Sequence, residues 1–129
     1  MHIEHIALWT RQLECLKDFY EKYFQVRSCR KYQNLAKGFE SYFLSFSTGA
    51  RMELMSQADL QESTILPGHD HTGYAHLSFT TGSEYAVDEL TDRLRRDGYQ
   101  VLSDPRHTGD GYYESVISDP DGNLVEITA

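Results

Sequence analysis

The chain has no run of ~18 apolar residues that could span a membrane, no low-complexity tract, and only two cysteines, Cys15 and Cys29, among 129 residues. A domain of this length buries roughly two thirds of its unfolded surface. It needs no disulfide framework to hold a core, so both thiols read as reduced. Positive charge is also scarce: 12 Lys and Arg stand against 20 Asp and Glu, a net charge of −8. Such a surface repels phosphate backbones and anionic lipid at long range, so neither nucleic acid nor membrane is an expected partner. The opening MHIEHIALWT carries charge where a secretory leader needs an unbroken apolar segment, and a cytoplasmic protein is expected.

What is present is a pattern that occurs twice. HIEHIALW has apolar residues on both parities, as in a strand buried on both faces, and LECLKDFYEKYF follows with Leu13, Leu16, Phe19, Tyr20 and Tyr23 at helical spacing. Strand-like stretches come next at 26–33, 39–47 and 51–57, the last two separated by Thr48, Gly49 and Ala50. Residues 58–72 form a polar connector with Pro67, Gly68, His69 and His71, where a solvated loop is expected. The pattern then restarts with GYAHLSFTT. A helix follows, capped by Ser83, with Ala86, Val87, Leu90 and Leu94 on one stripe and a stop at Gly98. Strands at 99–105, 111–118 and 123–128 complete the second copy. The expected fold is α+β: one domain over 1–129 made of two tandem βαβββ modules, about 1–57 and 73–129.

Polar residues repeat with the pattern. His5 and His76 lie on the first strand of each module, and Glu53 and Glu126 on the last. Strand alternation sets His5, Ala7 and Trp9 opposite Ile6 and Leu8, and Tyr74, His76 and Ser78 opposite Ala75, Leu77 and Phe79. Arg51, Glu53 and Met55 likewise oppose Met52 and Leu54, and Glu126 opposes Val125 and Ile127. One consistent assignment puts both imidazoles and both carboxylates on the helix-free faces. If those faces curl toward one another, the four groups converge in a cup. Buried carboxylates need a compensating charge, and a divalent cation supplies it. Mixed nitrogen and oxygen donors suit Ni, Co, Zn, Mn or Fe rather than an all-oxygen calcium cage. His107, read as a loop residue, has no such duplicate.

HIALWT, LKDFYEKYF, the MEL at 52–54, YAHLSF and SDPDGNLVEI together resemble the vicinal oxygen chelate superfamily, the glyoxalase, bleomycin-resistance and extradiol dioxygenase type of protein. The turn Asp119-Pro120-Asp121-Gly122 is the most specific piece, and it sets the register of Glu126. The resemblance implies metal ligands at His5, Glu53, His76 and Glu126. Three-ligand relatives include dioxygenases and fosfomycin-modifying transferases. Four ligands match glyoxalase I and methylmalonyl-CoA epimerases, so the presence of Glu53 implies a lyase or isomerase. In that chemistry a proton leaves carbon beside a carbonyl and the enediolate is stabilised as it forms. Glu126 is the first choice for the base and Glu53 the second.

Trp9 stands where similar bacterial sequences carry an arginine for glutathione's carboxylates, so the resemblance does not bring glutathione recognition with it. Trp9, Met55 and Tyr74 are candidates to line the cup. Arg51, or Arg106 in a loop, is a candidate to hold a substrate anion. A small-molecule substrate and a homodimer are expected from the resemblance, with each cup formed either within one chain or across two. A metal-free, bleomycin-binding type of sequestration protein and an extradiol-type dioxygenase are the alternatives.

Overall fold

A computed structural model describes residues 1–61 and 72–129. Pro67, Gly68, His69 and His71 lie outside the described residues. The chain divides into two compact units, Met1–Ser63 and Thr64–Ala129, and each contains one sheet with one long helix. The mixed α+β architecture expected from the sequence is the one observed. Among the described residues, no helix is long and apolar enough to cross a membrane.

The first unit runs β1 (His5–Trp9), α1 (Leu13–Tyr23), β2 (Arg27–Ser28), β3 (Tyr32–Asn34), a single 3-10 turn (Leu35–Lys37), β4 (Phe39–Ser45) and β5 (Arg51–Gln57). Its sheet has the order β1-β5-β4-β2, with β3 also paired to β4. The first and last strands lie side by side and parallel, Ala7 opposite Glu53 and Trp9 opposite Met55. The apolar stripe of α1 is buried at Leu13, Leu16, Phe19, Tyr20 and Tyr23. It meets a sheet face whose Leu44, Met52 and Leu54 are equally buried. Truncating a fully buried leucine such as Leu16 to alanine costs about 2–5 kcal/mol in comparable cores. Gln25 ends the helix in the left-handed region, at φ 54°.

The stretch 26–33, read as one strand, is two short ones. Arg27 and Ser28 pair with Ser45 and Leu44, Cys29 N–H donates to the Phe43 carbonyl, and Tyr32 pairs with Ser41. Arg30 and Lys31 therefore stand against the single residue Tyr42, a bulge that re-aims the strand. Lys31 uses the kink to reach Glu14 at 2.7 Å and Glu40 at 3.0 Å. The two carboxylates hold its ammonium well above the usual lysine range.

The second unit runs β6 (Leu77–Thr80), α2 (Glu84–Arg96), β7 (Val101–His107), β8 (Tyr113–Ser118) and β9 (Leu124–Thr128), in the order β6-β9-β8-β7. Here too the first and last strands are parallel, with Ser78 opposite Glu126. Ser83 caps α2 by accepting the Ala86 N–H, and Gly98, at φ 90°, stands just beyond the helix end. Val87, Thr91 and Leu94 are buried against Ile117, Val125 and Ile127. The Thr91 hydroxyl donates to the Val87 carbonyl at 2.7 Å and meets the Ser115 hydroxyl at 2.6 Å. This polar pair is fully buried and fully satisfied, which fixes how α2 sits on β8.

The strand expected from Gly73 begins only at Leu77. Its partner β9 starts at Leu124, directly after the turn at 119–122, so residues 73–75 have no ladder to join. At the other edge β7 extends past its expected end at 105 to His107. Pro105 is tolerated because an edge strand loses no ladder bond to proline. Arg106 and His107 are consequently strand residues and not loop residues.

Glu21 ties α1 to β2, accepting from Ser28 N–H at 2.9 Å and Ser28 Oγ–H at 2.7 Å. These bonds hold its carboxyl below the ordinary value of 4.5. A depressed folded pKa contributes stability above the unfolded value and loses it as pH falls through the folded one. Glu21 is a third exposed, so Ser28→Ala is expected to cost only about 1 kcal/mol above that value. The difference should close at lower pH in urea melts; a deficit independent of pH would contradict the assignment.

Candidate functional site

Parallel pairing determines which side chains meet in each unit. Directly opposite residues on neighbouring strands point to the same face, so Ala7 and Glu53 share the helix-free face of the first sheet. His5, two residues before Ala7, lies on that face one step along. In the second unit Ser78 and Glu126 are the opposed pair, and His76 again lies two residues upstream. The outcome is the same twice. His5 Nε2 is 4.0 Å from Glu53 Oε2, and His76 Nε2 is 3.6 Å from Glu126 Oε2. In both pairs the carboxylate is largely covered, at 16% exposed, and the imidazole is open, at 40% and 45%.

The first pair has a support that the sequence reading missed. Glu4, just before β1, accepts from His5 Nδ1 and from the Arg51 guanidinium. The His5 bond, followed by the Arg51 bond, holds its carboxyl below the usual range. With the proton on Nδ1, His5 presents the Nε2 lone pair to Glu53. Two electron-rich atoms then face each other with no hydrogen between them, an arrangement that suits a cation. Both Nε2···Oε2 separations lie under about 4.2 Å, the widest gap that two metal–ligand bonds of about 2.1 Å can bridge. The donor set thus fits a divalent metal. Among the described residues, no group of three or more His, Cys, Asp or Glu side chains is placed to hold one ion; the site residues occur as these two pairs.

Other candidates find different surroundings. Arg51 is committed to Glu4 and lies over the Phe43 ring, 4.3 Å from its centroid. Phe43 also meets the His5 ring edge-on at 5.4 Å. Trp9 is half-exposed on the His5 face and packs its edge on Phe39, and Met55 is half-buried opposite it. Tyr74, at 97% exposed, precedes β6. His107 faces Glu84 at 3.8 Å and the Tyr113 ring. A shallow groove at the start of α1, lined by Arg11, Glu14, Lys31 and Glu40, is also separate from the paired residues.

Around Glu126 the structure adds three residues. Ser78 Oγ–H donates to Glu126 Oε1 at 2.7 Å. Glu114 on β8 lies on the same face by strand alternation, two residues before Val116, which pairs with Glu126. Burial and then the Glu126 charge push its carboxyl up, against the pull of Arg106. Arg106 reaches Glu114 at 3.4 Å and donates to Ser103 Oγ at 2.7 Å.

The turn before β9 fixes the register of Glu126. Buried Asp119 accepts from Asp121 N–H, Asn123 N–H and Asn123 Nδ2–H, each at 2.9 Å. Gly122 supplies the left-handed position at φ 85°.

The model of the Glyoxalase/Bleomycin resistance protein/Dioxygenase superfamily matches residues 2–127. The chain belongs to that superfamily. It is 30% identical to the uncharacterized protein YqjT of Bacillus subtilis (strain 168), covering 98% of both chains. Glyoxalase I from Zea mays superposes at a TM-score of 0.81 with 19% identity over 98% of this chain. The match spans only 44% of the maize enzyme, so the chain corresponds to less than half its length. A possible glyoxalase from Bacillus cereus matches end to end, covering 100% of this chain and 99% of its own, at a TM-score of 0.73 and 25% identity.

Asp119→Ala is expected to destabilise the protein by about 2 kcal/mol in denaturant melts, because three donors lose a buried carboxylate. Asp119→Asn, whose Oδ1 can still accept from both backbone N–H groups, should cost less than half as much. Equal losses would mean that the turn is held by something else.

Proposed function

We propose that this superfamily member is a divalent-metal-dependent lyase or isomerase of glyoxalase I type, with His5, Glu53, His76 and Glu126 as its metal ligands. The observation that carries the reading is the duplicated pair, an imidazole Nε2 within 4.0 Å of a carboxylate oxygen at equivalent register in both units. Ni, Co, Zn, Mn and Fe all accept such donors. When bound, the metal stabilises negative charge growing on two adjacent substrate oxygens.

The protein's own groups do the rest. Glu4 keeps the His5 proton on Nδ1 and so keeps Nε2 free for coordination. One of the two catalytic carboxylates, Glu126 or Glu53, takes the proton from carbon beside a carbonyl and returns it to the neighbouring carbon. Trp9 and Met55, on the same face as Glu53, supply apolar surface for the part of the substrate that does not react, with Tyr74 a further candidate. Arg51 is already engaged by Glu4, which disfavours it as the anchor of a substrate anion. The substrate class is a small molecule with adjacent oxygens, free or joined to a thiol, and a soluble homodimer in the cytoplasm is the setting this reading expects.

The superfamily also includes bleomycin resistance proteins, so one competing reading is a metal-free sequestration protein of that kind. Metal content separates the two. After extensive dialysis the enzyme reading expects about one divalent ion per set of four ligands, lost in His5→Ala/His76→Ala. A metal-loaded screen over hemithioacetals, acyl-CoA thioesters and catechols should give turnover that Glu126→Gln lowers by at least about a hundredfold. Full metal content in the double variant would contradict the ligand assignment.

A further inference from the structure

The helix-free face of the first sheet is charged at the His5 end and aromatic at the other, and we infer that the aromatic end seats a planar aromatic ring, so that the substrate is an aryl-bearing molecule. This inference deepens the metal-dependent reading above and rests on it for the reaction, but not for the binding of the ring. Pairing across the sheet sets out a row of side chains on that face: Trp9 opposite Met55, Met55 opposite Ser41, and Ser41 opposite Tyr32. Phe39, two residues before Ser41, shares the face and meets both the Trp9 and the Tyr32 ring edge-on, each at a centroid distance of 6.1 Å. The three rings form one continuous ridge. Ser41, at the centre of the row, is closed off at 2% exposed, whereas Trp9 and Tyr32 stay open at 46% and 56%.

Size and surroundings select the occupant. A wholly covered aromatic side chain buries about 150–250 Å², so three half-open rings offer about 300 Å² together. A stable dimer needs about 800 Å² from each partner, which makes a second copy of the chain a poor fit and one fused bicyclic ring a good one. Polar residues bound the ridge on its far side, where Asn34 and Gln57 pair with Phe39. On the near side Trp9 and Met55 stand one side-chain step, about 7 Å along the strands, from Ala7 and Glu53. A ring seated on the ridge can therefore direct its substituent toward His5 and Glu53. Arg51, at the other end of the face, is held by Glu4 and the Phe43 ring, and the ridge residues themselves are uncharged. Contacts between rings add a factor of about two to ten in affinity beyond the area they cover. A saturated group of the same size gains only the area.

The test uses the metal-free full chain and two probes, 2-naphthol and its saturated counterpart decahydro-2-naphthol. Trp9 is the single tryptophan of the chain, so its indole N–H gives one nuclear magnetic resonance signal that reports on the ridge. 2-Naphthol is expected to shift that signal saturably and to bind at least about fivefold tighter than decahydro-2-naphthol. Phe39→Leu and Tyr32→Leu, which keep apolar bulk, should each weaken 2-naphthol by about three- to tenfold. Tyr85→Leu, an exposed tyrosine of α2, should leave it unchanged. No saturable shift, equal affinity for the two probes, or loss in all three variants alike would overturn the inference. Sedimentation is expected to give the same mass for the wild type and Phe39→Leu; conversion of a dimer to a monomer would show that a second copy covers the ridge, and would overturn it too. Metal uptake and turnover are scored separately on the same samples. Naphthol binding without metal leaves the ring site standing and removes the enzyme reading, and metal-dependent turnover without naphthol binding does the reverse. Circular dichroism melts on each variant separate lost folding from lost binding.

Discussion

Parallel pairing of the first and last strands in each unit is the constraint on which the candidate site depends. It puts a residue of the opening strand directly opposite the carboxylate of the closing one, and a histidine two positions upstream then lies within 4.0 Å of that carboxylate. A slip of one residue would turn the carboxylate to the opposite face, among Met52 and Leu54 or Val125 and Ile127. Those residues are almost completely buried against a helix, so the slip would bury a charge and expose a core side chain. Hydrophobic packing behind each sheet therefore enforces the polar geometry in front of it.

Two devices add to the enforcement in the second unit. The buried Asp119 network closes the turn one residue short of β9, and the satisfied Thr91–Ser115 pair locks α2 to β8. In the first unit the comparable work falls to α1, whose aromatic residues Phe19, Tyr20 and Tyr23 are all buried, and to the bulge that brings Lys31 between Glu14 and Glu40. The two units thus reach the same His–Glu arrangement on different supports. Glu4 steadies the histidine of one pair and Ser78 the glutamate of the other.

Much of this was legible in the sequence because it is local. Alternation in RMELM and LVEIT gave the faces of Glu53 and Glu126, the 3.6-residue stripe gave both helices, and DPDG gave the turn. Features that depend on a distant partner were not legible. β6 starts at Leu77 because β9 has nothing earlier to offer it, and the break in 26–33 appears only against the register of β4. Glu4 reaches Arg51 because two strands far apart in the chain lie side by side. Arg106 and His107 read as loop residues, although β7 runs through Pro105 to His107 because on an edge strand that proline costs little. Glu114 was within reach of the same alternation argument that found Glu126, since both fall on the helix-free face.

Membership of the glyoxalase and bleomycin-resistance superfamily follows from the match across the whole chain, and the duplicated pairs give that membership a chemical meaning in this protein. The central claim is that the pairs are metal ligands. It is tested most directly by an anomalous difference map from crystals of the protein grown with Co²⁺. The account predicts one peak within about 2.0–2.3 Å of the Nε2 atoms of a His5 and a His76 and of carboxylate oxygens of a Glu53 and a Glu126. A cobalt peak held by other residues, with the His–Glu pairs vacant, would contradict it.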